Sequence, residues 1–449
     1  MAIDTGTRPG GNRQLRPGGN RPSWITGTPA TVRGWLDHPS ADQVLLLTVV
    51  GLLLFLGLMM VLSASSVLSN SLYDGNSYVF FGRQLAFAAI GVVIGAAMAV
   101  LPASVSRRLA WFVLLVSLVG LLATYSPIGL DVNGNRNWID VGPFRGQPSE
   151  FAKLAMVWWG ADVLARRDRE LDQLRRIVWP YLIFCGVLIG LVTFQHDLGS
   201  AVIMVAIVVT VLWVAGVPLL VFGAIGTGAA VVVGTLVVTA PYRMARLMSF
   251  LRPTDGIDAA NYQSTMGSYA LASGGWWGLK LGGSRMKWGG LPEAHTDYIL
   301  AIIGEELGLL GTCSVVALFA LLGWAGIRIM RHCVRPYHRY LAAGVTGWIL
   351  FQAFVNIAVV VRLWPVMGVT LPFISYGGSS VLATLVAVGL LMSCARAEPA
   401  AVADRQRRRR EQERIRAAMR VSAVVDVRPG PRERSGDHGR GEKGTERLR

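Results

Sequence analysis

Long apolar segments recur along this chain, and they constrain its fold more than any other feature. Runs of about 18 to 25 apolar residues, each long enough to cross roughly 30 Å of hydrocarbon, recur between Gln43 and Cys394. Of the 449 residues, 53% are hydrophobic and only 16% are charged, which is typical of polytopic membrane proteins rather than soluble globules. The sequence therefore predicts an all-α polytopic membrane protein.

The distribution of Lys and Arg predicts about ten transmembrane helices with both termini in the cytoplasm. Nine predicted spans are 43–66, 79–101, 109–126, 148–165, 177–194, 198–216, 218–240, 341–361 and 376–395. The eighth span in chain order follows Asp297 and leads to Arg328. Between the seventh and eighth spans, an extracytoplasmic loop covers residues 241–297, and this length predicts a functional element rather than a connector.

Two basic tails flank the predicted membrane domain of residues 43–395. Residues 1–42 and 396–449 are predicted to be disordered and cytoplasmic, and the second contains the run R-Q-R-R-R-R from Arg405 to Arg410. They contact either anionic lipid headgroups or a specific protein. The net charge of +16 does not indicate nucleic-acid binding, because Lys and Arg lie mainly in tails and short loops beside spans.

Titratable side chains gather where the eighth span begins. Trp288 to Gly308 reads W-G-G-L-P-E-A-H-T-D-Y-I-L-A-I-I-G-E-E-L-G. Ionised groups at the start of a span must be solvated, paired or functional, because an ionised group in hydrocarbon is costly. The predicted topology also places nine cations outside, which an anionic ligand at the outer leaflet explains most simply: Arg136, Arg145, Arg243, Arg246, Arg252, Lys280, Arg285, Lys287 and Arg362.

Four sequence blocks carry a resemblance to a known family. They are L-P-E-A-H-T-D-Y-I-L-A-I-I-G-E-E-L-G (291–308), N-G-N-R-N-W-I-D-V-G-P-F-R-G-Q-P-S-E-F-A-K (133–153), P-Y-R-M-A-R-L-M-S-F-L-R-P (241–253) and L-P-F-I-S-Y-G-G-S-S (371–380). In order and spacing they resemble the SEDS family (shape, elongation, division and sporulation) over all but the tails. Within it, L-S-A-S-S (62–66) and E-A-H-T-D (293–297) favour the division-type member over the elongation-type member.

The resemblance implies a peptidoglycan glycosyltransferase of the cytoplasmic membrane. Such an enzyme polymerises lipid II, an undecaprenyl-pyrophosphate-linked substrate, on the outer face of the membrane at the division septum. Its implied partners are a class B penicillin-binding transpeptidase and other divisome proteins. Three alternatives stay open: an elongation-type polymerase, a lipid II flippase, and a non-catalytic scaffold for the transpeptidase.

Asp297 is the predicted catalytic residue. Polymerisation requires the 4-hydroxyl of the acceptor sugar to lose its proton as it attacks the anomeric carbon of the donor, and a carboxylate can act as the general base. A free Asp titrates near 3.9, and partial desolvation at the membrane surface raises this pKa toward the useful range. The alternative is that Asp297 only caps the helix that follows it.

Further side chains are candidate substrate contacts, because the leaving pyrophosphate requires cations around it. Lys153 contacts phosphate or is held by Glu150 in a structural pair. Glu293 and His295 contact sugars or hold their loop, and Asp197 forms a wall of the site or caps a helix. The remaining candidates are Tyr376 and the cations Arg136, Arg243, Arg246, Lys280 and Lys287, which alternatively anchor lipid headgroups.

The sequence predicts no dedicated metal site and no resident cofactor. Its four cysteines contain no CxxC pair, so they indicate neither a disulfide framework nor a metal cluster. A divalent cation, Mg²⁺ or Mn²⁺, shared by Asp297 with Glu293 or Asp197 remains an alternative. The adjacent acids Glu305 and Glu306, further into the eighth span, are predicted to form a structural ion pair with a neighbouring segment.

Overall fold

Helices make up most of the structure, a computed structural model that describes residues 38, 40–132, 135–141, 144–171, 178–251 and 261–425. In chain order they are α1 (Ala41–Leu72), α2 (Val79–Val100), α3 (Ala103–Ala123), α4 (Pro148–Arg166), α5 (Ile183–Phe194), α6 (Leu198–Ala215), α7 (Leu219–Val238), α8 (Pro241–Leu251), α9 (Tyr262–Gly274), α10 (Ile299–His332), α11 (Pro336–Val360), α12 (Gly378–Arg396) and α13 (Pro399–Val425). Short turns of 3₁₀ or π-helix occur at Asp168–Glu170, Val178–Leu182 and Met286–Trp288.

A small sheet is added to this helical fold between α3 and α4. Strands β1 (Gly129–Val132), β2 (Asn135–Val141) and β3 (Phe144–Gly146) pair antiparallel in the order β1-β2-β3. No predicted span covers this segment, and the all-α prediction is incomplete here because the segment forms strands. Strands this short carry little sequence signal of their own, and their pairing satisfies backbone groups that a loop would leave to water.

Among the described residues, eight helices are long and apolar enough to cross a membrane: α1, α2, α3, α6, α7, α10, α11 and α12. The two other predicted spans correspond to α4 and to the stretch Trp179–Phe194. Helix α4 is less apolar because Glu150, Lys153 and Asp162 lie within it. Trp179–Phe194 is apolar but shorter than the eight.

Several predicted span boundaries were wrong by one to two turns. Helix α1 begins at Ala41 and continues to Leu72, beyond the predicted 43–66. Helix α3 begins after Pro102 rather than at residue 109, because Pro lacks an amide hydrogen and so starts a helix readily. Helix α11 begins at Pro336 instead of 341 for the same reason.

The predicted tails need two corrections. Asp42 belongs to the bundle and not to a tail, because it lies in the first turn of α1 and forms an ion pair with Arg328 of α10 at 2.6 Å. The second tail is not disordered throughout, since Pro399–Val425 forms α13, a segment rich in the helix-forming residues Ala, Arg, Gln and Glu. The rest of the predicted N-terminal tail, except residues 38 and 40, and residues 426–449 lie outside the described residues.

The long segment between α7 and α10 is folded over much of its length. It contains α8, α9 and the turn Met286–Trp288. Helix α9 contacts α10 backbone to backbone, because a Cβ on Gly274 would lie only 1.9 Å from the carbonyl oxygen of Gly304. Glycine is required at such a contact, since any side chain would force the two helices apart.

The polar ends of the bundle are distinct. One end, here called the inner end, carries Asp42, Arg328 and Arg396, where α1 begins and α10 and α12 end. The opposite end, the outer end, carries Asp297 immediately before α10. Helices α11 and α12 are mostly buried between the others, whereas in α7, which is described throughout, Val221 alone is buried.

Candidate functional site

The backbone around Asp297 is held from two sides. On one side, the amides of Thr296 and Tyr298 both donate to the carbonyl oxygen of Glu293 at 3.2 Å, forming a tight turn before α10. On the other, Asn356 Nδ2 of α11 donates to the carbonyl oxygen of Asp297 at 2.7 Å. A Cβ on Gly368 would lie 3.5 Å from Asp297 Oδ2, so the carboxylate faces bare backbone there.

The carboxylate of Asp297 is left available. It accepts no hydrogen bond from any residue within the described ranges, although the same turn fixes its backbone. Asp297 does not cap α10 through a hydrogen bond, because the N-cap is Tyr298 and the helix start has no side-chain cap, while an effect of its charge on the helix dipole stays an alternative. Asp297 is thus a positioned carboxylate without a structural task for its oxygens.

Burial raises the pKa of Asp297 to about 7, well above the ordinary value for an aspartate. The negative charges of Glu293 and Asp197 raise this pKa as well, and the positive charge of Arg246 lowers it. A base is most effective when its pKa lies near the working pH. Near neutral pH a substantial fraction of Asp297 is therefore deprotonated and remains a strong base.

A cationic cleft lies beside Asp297. Its volume is about 240 Å³, and two arginines, Arg246 and Arg362, line it from different segments of the chain. The charge of Arg246 acts on Asp297, and the charges of both arginines act on Tyr298, so the cleft lies within electrostatic range of the carboxylate. The other lining residues are Ser249, Phe250, Ser264, Trp364, Pro365 and Val366. Two guanidinium groups in one cleft suit a diphosphate.

A larger groove lies elsewhere and has a different character. It has a volume of about 450 Å³ between α5, α6 and α7, and its lining includes Leu182, Cys185, Val208 and Ile225 but no charged residue. Its lining could contact an apolar chain, yet it offers nothing to a phosphate. Of these two cavities, the smaller cleft is the one whose lining offers cations to a phosphate.

Asp197 is a hydrogen-bonded junction at the start of α6. Its Oδ1 accepts from the Ser200 amide at 2.9 Å, which caps the helix as the sequence analysis allowed. Its Oδ2 accepts from Asn137 of β2 at 3.1 Å and from Gln147 Nε2 at 3.0 Å. Its charge also raises the pKa of Asp297. The capping alternative is therefore confirmed, and the alternative of a wall of the site stays a prediction.

Lys153 and Glu150 form a buried pair within α4. Lys153 Nζ donates to Glu150 Oε1 at 2.8 Å and to Gln352 Oε1 of α11 at 3.0 Å, and the two charged side chains are 1% and 5% exposed. This geometry is the structural clamp that the sequence left as an alternative to phosphate binding. The ammonium group already donates to two side chains and is buried away from the outer cleft. Lys153 therefore holds α4 against α11.

Sequence reasoning missed two amide side chains one turn apart on α11. Gln352 Nε2 donates to the Thr370 carbonyl oxygen at 3.0 Å, and Asn356 Nδ2 donates to the Val369 carbonyl oxygen at 2.7 Å. Asn356 also donates to the carbonyl oxygen of Asp297. The two amides therefore connect the loop before α12 to the turn that carries Asp297. Their signal was present, since uncharged polar residues inside an apolar span usually have a specific partner.

His295 and Tyr376 lie together on an aromatic wall. The His295 ring is 5.4 Å from Phe80 and 5.6 Å from Tyr376, measured between ring centroids. The Tyr376 amide donates to the His295 carbonyl oxygen at 2.9 Å. Burial lowers the pKa of His295, and the nearby Glu293 charge partly offsets this. A largely neutral imidazole beside aromatic rings offers a hydrogen-bonding, stacking surface for a sugar.

The predicted ion pair of the adjacent glutamates is confirmed for Glu306 only. Lys287 Nζ lies 3.4 Å from Glu306 Oε1 and donates to the Gly282 carbonyl oxygen at 2.7 Å, so this cation is already committed within the protein. Glu305 instead accepts from Ser284 Oγ at 2.5 Å and from the Arg285 amide at 2.9 Å. Both acids hold the loop before Trp288 onto α10.

The remaining candidate cations do not line the cleft beside Asp297. Arg136 is exposed on β2 and donates to the Ser126 carbonyl oxygen at 2.9 Å. Arg243 is buried at the start of α8 and donates to the Leu236 carbonyl oxygen at 3.2 Å. Lys280 is exposed in a left-handed turn with φ +78°. By contrast, Arg362, which the sequence analysis counted among the outer cations but not in the site, does line the cleft.

The metal alternative, in which Asp297 shares an ion with Glu293 or Asp197, stays a prediction. Within the described residues, Asp297, Glu293 and Asp197 do not form a group whose ligand atoms lie close enough together to share an ion. Both oxygens of Asp197 already accept hydrogen bonds. A cation beside Asp297 would therefore take most of its oxygen ligands from a bound substrate.

The fold and the site define a polytopic membrane protein whose outer end presents a carboxylate of raised pKa near a cleft lined by two arginines. Residues 43–399 match the family described as "Cell cycle protein", which groups FtsW, RodA and SpoVE. The match covers most of the chain, so the protein belongs to this family, as the four sequence blocks predicted.

Relatives of known name cover most of the chain. "Probable peptidoglycan glycosyltransferase FtsW" of Mycobacterium tuberculosis is 41% identical over 401 residues, covering 89% of this chain and 75% of the relative. "Stage V sporulation protein E" of Bacillus subtilis is 39% identical over 358 residues, covering 78% and 96%.

Two solved structures share the fold. One, described as "Structural coordination of polymerization and crosslinking by a peptidoglycan synthase complex", has a TM-score of 0.65 at 26% identity and covers 79% of this chain and 97% of its own. The rod shape determining protein RodA of Thermus thermophilus has a TM-score of 0.56 at 25% identity and covers 82% and 99%.

Proposed function

We propose that this protein is a peptidoglycan glycosyltransferase that polymerises lipid II on the outer face of the cytoplasmic membrane during septal wall synthesis. The observation that carries the proposal is Asp297, a fixed carboxylate without hydrogen-bond partners among the described residues, whose pKa is raised to about 7 beside the Arg246–Arg362 cleft. The names of the relatives, peptidoglycan glycosyltransferases of the FtsW type, support the same reaction.

In the proposed reaction, Asp297 accepts the proton of the acceptor sugar's 4-hydroxyl group. The oxygen of that hydroxyl group attacks the anomeric carbon of the donor at the same time. The new glycosidic bond forms while the bond between that carbon and the pyrophosphate oxygen breaks, and the lipid pyrophosphate leaves with the electron pair. Attack from the opposite face inverts the anomeric centre and gives a β-1,4 linkage. A positioned general base contributes about 10²–10⁴-fold to such a rate.

The surrounding residues divide this task. Arg246 and Arg362 neutralise the charge that develops on the leaving pyrophosphate, as preorganised cations do most effectively in a site sheltered from water. Glu293, His295 and Tyr376 face the sugars. Lys153 and Glu150 maintain the packing behind the site.

A class B penicillin-binding transpeptidase is the proposed partner, together with other divisome proteins at the septum. The solved structure of a peptidoglycan synthase complex, described in terms of polymerization and crosslinking, supports an assembly of this kind. A Mg²⁺ or Mn²⁺ ion beside Asp297 is a further proposal, with the pyrophosphate supplying most of its ligands.

The test is polymerisation of purified lipid II by the full chain with its cognate transpeptidase. Asp297→Asn should abolish detectable polymer, whereas Asp74→Asn should polymerise at the native rate. Asp74 is a matched control, since it is an exposed aspartate in the outer turn between α1 and α2. Normal polymer from Asp297→Asn would overturn the base assignment. Movement of lipid II across vesicles without polymer would favour the flippase, and loss of activity in EDTA would support the cation.

A second variant tests the cleft. Arg362→Asn should lower kcat/KM by about tenfold, because it removes one of two charges on the pyrophosphate. Asn tolerates the left-handed backbone of this position, where φ is +59°. The control is Lys280→Asn, an exposed outer cation with φ +78° that does not line the cleft. Equal kcat/KM in both variants would place the pyrophosphate elsewhere.

A further inference from the structure

Three potential metal ligands converge at the inner end of the bundle, far from Asp297. Asp42 lies in the first turn of α1, His332 is the last residue of α10, and Glu398 lies in the short link between α12 and α13. One ligand atom from each lies within 4.8 Å of the other two. Asp297 immediately precedes α10 and His332 ends it, so this cluster lies at the opposite end of α10 from Asp297.

The spacing of these atoms suits a single ion. His332 Nδ1 is 3.1 Å from Asp42 Oδ2 and 3.6 Å from Glu398 Oε2. Two donor atoms bound at about 2.1 Å with a tetrahedral angle lie about 3.4 Å apart. The cluster therefore needs only small side-chain adjustments to place all three atoms around one metal ion.

A separate observation points to a missing ligand. Glu398 is only 6% exposed, and its Oε1 has no hydrogen-bond partner within the described chain. Its other oxygen faces His332 at a distance too long for a hydrogen bond. A buried polar atom without a partner is unfavourable, because such atoms are usually satisfied by a hydrogen bond or by a metal ion.

We propose that Asp42, His332 and Glu398 bind a divalent transition-metal ion, for which Zn²⁺ is the best-fitting representative. One imidazole nitrogen and two carboxylate oxygens form a three-ligand set that Zn²⁺ accepts, leaving the fourth position for water. The His332 side chain is half exposed, so ions and water reach the cluster. Arg328 fixes the second oxygen of Asp42 at 2.6 Å and orients that carboxylate toward His332.

The bound ion connects three segments that are distant in the sequence: the beginning of α1, the end of α10 and the link into α13. The two basic tails both adjoin this metal site, since α1 follows one and α13 begins the other. The site thus links the arrangement of the tails to metal availability and leaves the outer end untouched.

The test uses the full chain in lipid nanodiscs, with Zn²⁺ binding measured by calorimetry and thermal unfolding by tryptophan fluorescence. The native chain should bind one Zn²⁺ with a rise in Tm, and Glu398→Gln and His332→Ala should each weaken binding at least about tenfold. Asp404→Asn is the control, because this acid lies near the same end on α13 and pairs with Arg408. Its Zn²⁺ affinity should equal that of the native chain.

X-ray absorption at the zinc edge identifies the ligands directly. Nitrogen and oxygen neighbours without sulfur are expected, whereas sulfur neighbours would overturn the proposal by assigning the ion to Cys333 or Cys394. Two other results would also overturn it: native affinity in His332→Ala, which is half exposed and should fold, or equal stabilisation of the native chain by Mg²⁺.

Discussion

Two aspartates at opposite ends of the bundle, Asp162 and Asp297, differ in how their carboxylates are neutralised. At the inner end, Asp162 of α4 is fully enclosed by donors: Arg107 forms an ion pair with it, Arg166 lies at 2.9 Å and Trp111 Nε1 at 3.3 Å. At the outer end, the carboxylate of Asp297 accepts no hydrogen bond from the described residues and lies near two other acids. A neutralised carboxylate holds helices together, and an unneutralised one keeps its basicity.

The unneutralised carboxylate of Asp297 lowers the stability of the outer end. Like charges and burial both disfavour the ionised form of Asp297, and a fold optimised for stability alone would supply a cation. Functional sites commonly hold groups in such perturbed states. The rigid turn and the Asn356 hydrogen bond keep the carboxylate in place although its oxygens contribute little to the fold.

The largest effect is expected at the inner end. Asp162→Ala should destabilise the protein by about 2–3 kcal/mol, at the lower side of the range for broken buried pairs, because Arg107 and Arg166 are partly exposed and retain water. Chemical denaturation in detergent measures this. Asp140→Ala is the control, since its pair with Arg145 is exposed and should contribute less than about 0.5 kcal/mol. Equal losses would remove the distinction between buried and surface pairs.

Removal of the Asp297 carboxylate should have the opposite effect on stability from removal of the Asp162 carboxylate. Asp297→Asn should raise Tm, since an acid with a raised folded-state pKa destabilises the native protein as it ionises. The penalty is absent below the ordinary pKa of 3.8, grows as pH rises and is complete above about 7. Allowing for partial exposure, about 1–3 kcal/mol is expected at pH 8. A Tm that falls equally at pH 5 and pH 8 would show that the carboxylate supports the fold.

The pH dependence of polymerisation should report the neighbours of Asp297. In the native chain the rate should rise with pH through about 7 as the base ionises. Glu293→Gln removes a negative charge and should move this limb to lower pH, whereas Arg246→Gln removes a positive charge and should move it to higher pH. Each shift should be about 0.3–1 pH unit. Shifts in the same direction would contradict the electrostatic account, whatever the change in maximal rate.

The smallest effect is expected for an exposed cation at the same end. Arg136→Gln should change polymerisation less than about twofold, because its side chain contacts the Ser126 carbonyl oxygen and lies outside the cleft. Steady-state rates at saturating and limiting lipid II measure it. A tenfold rise in KM would bring this arginine back into the substrate site.

The length of the apolar runs predicted eight spans that the structure contains, because apolar length is a local property. A carboxylate at the start of a span drew attention to Asp297, and the family resemblance favoured it as the base. The sequence could not bring Arg246 and Arg362 into one cleft, because they are far apart in the chain and only the tertiary fold determines their separation. The partners of Gln352 and Asn356 were hidden for the same reason. The three short strands and α13 lacked the long apolar signal on which the analysis relied.

The break in α10 determines how a substrate can reach the site. At Gly308, where φ is +71°, the helix leaves its own hydrogen-bond ladder, and the amides of Leu309 and Leu310 donate to the carbonyl oxygens of Gly275 and Trp276 at 2.9 and 3.5 Å. The loop after α9 is thereby hydrogen-bonded to the helix at its break. Lifting this loop would break these two hydrogen bonds, so the loop is held against the helix at this point. We therefore expect a lipid-linked substrate to reach the site from a side that this loop does not cover.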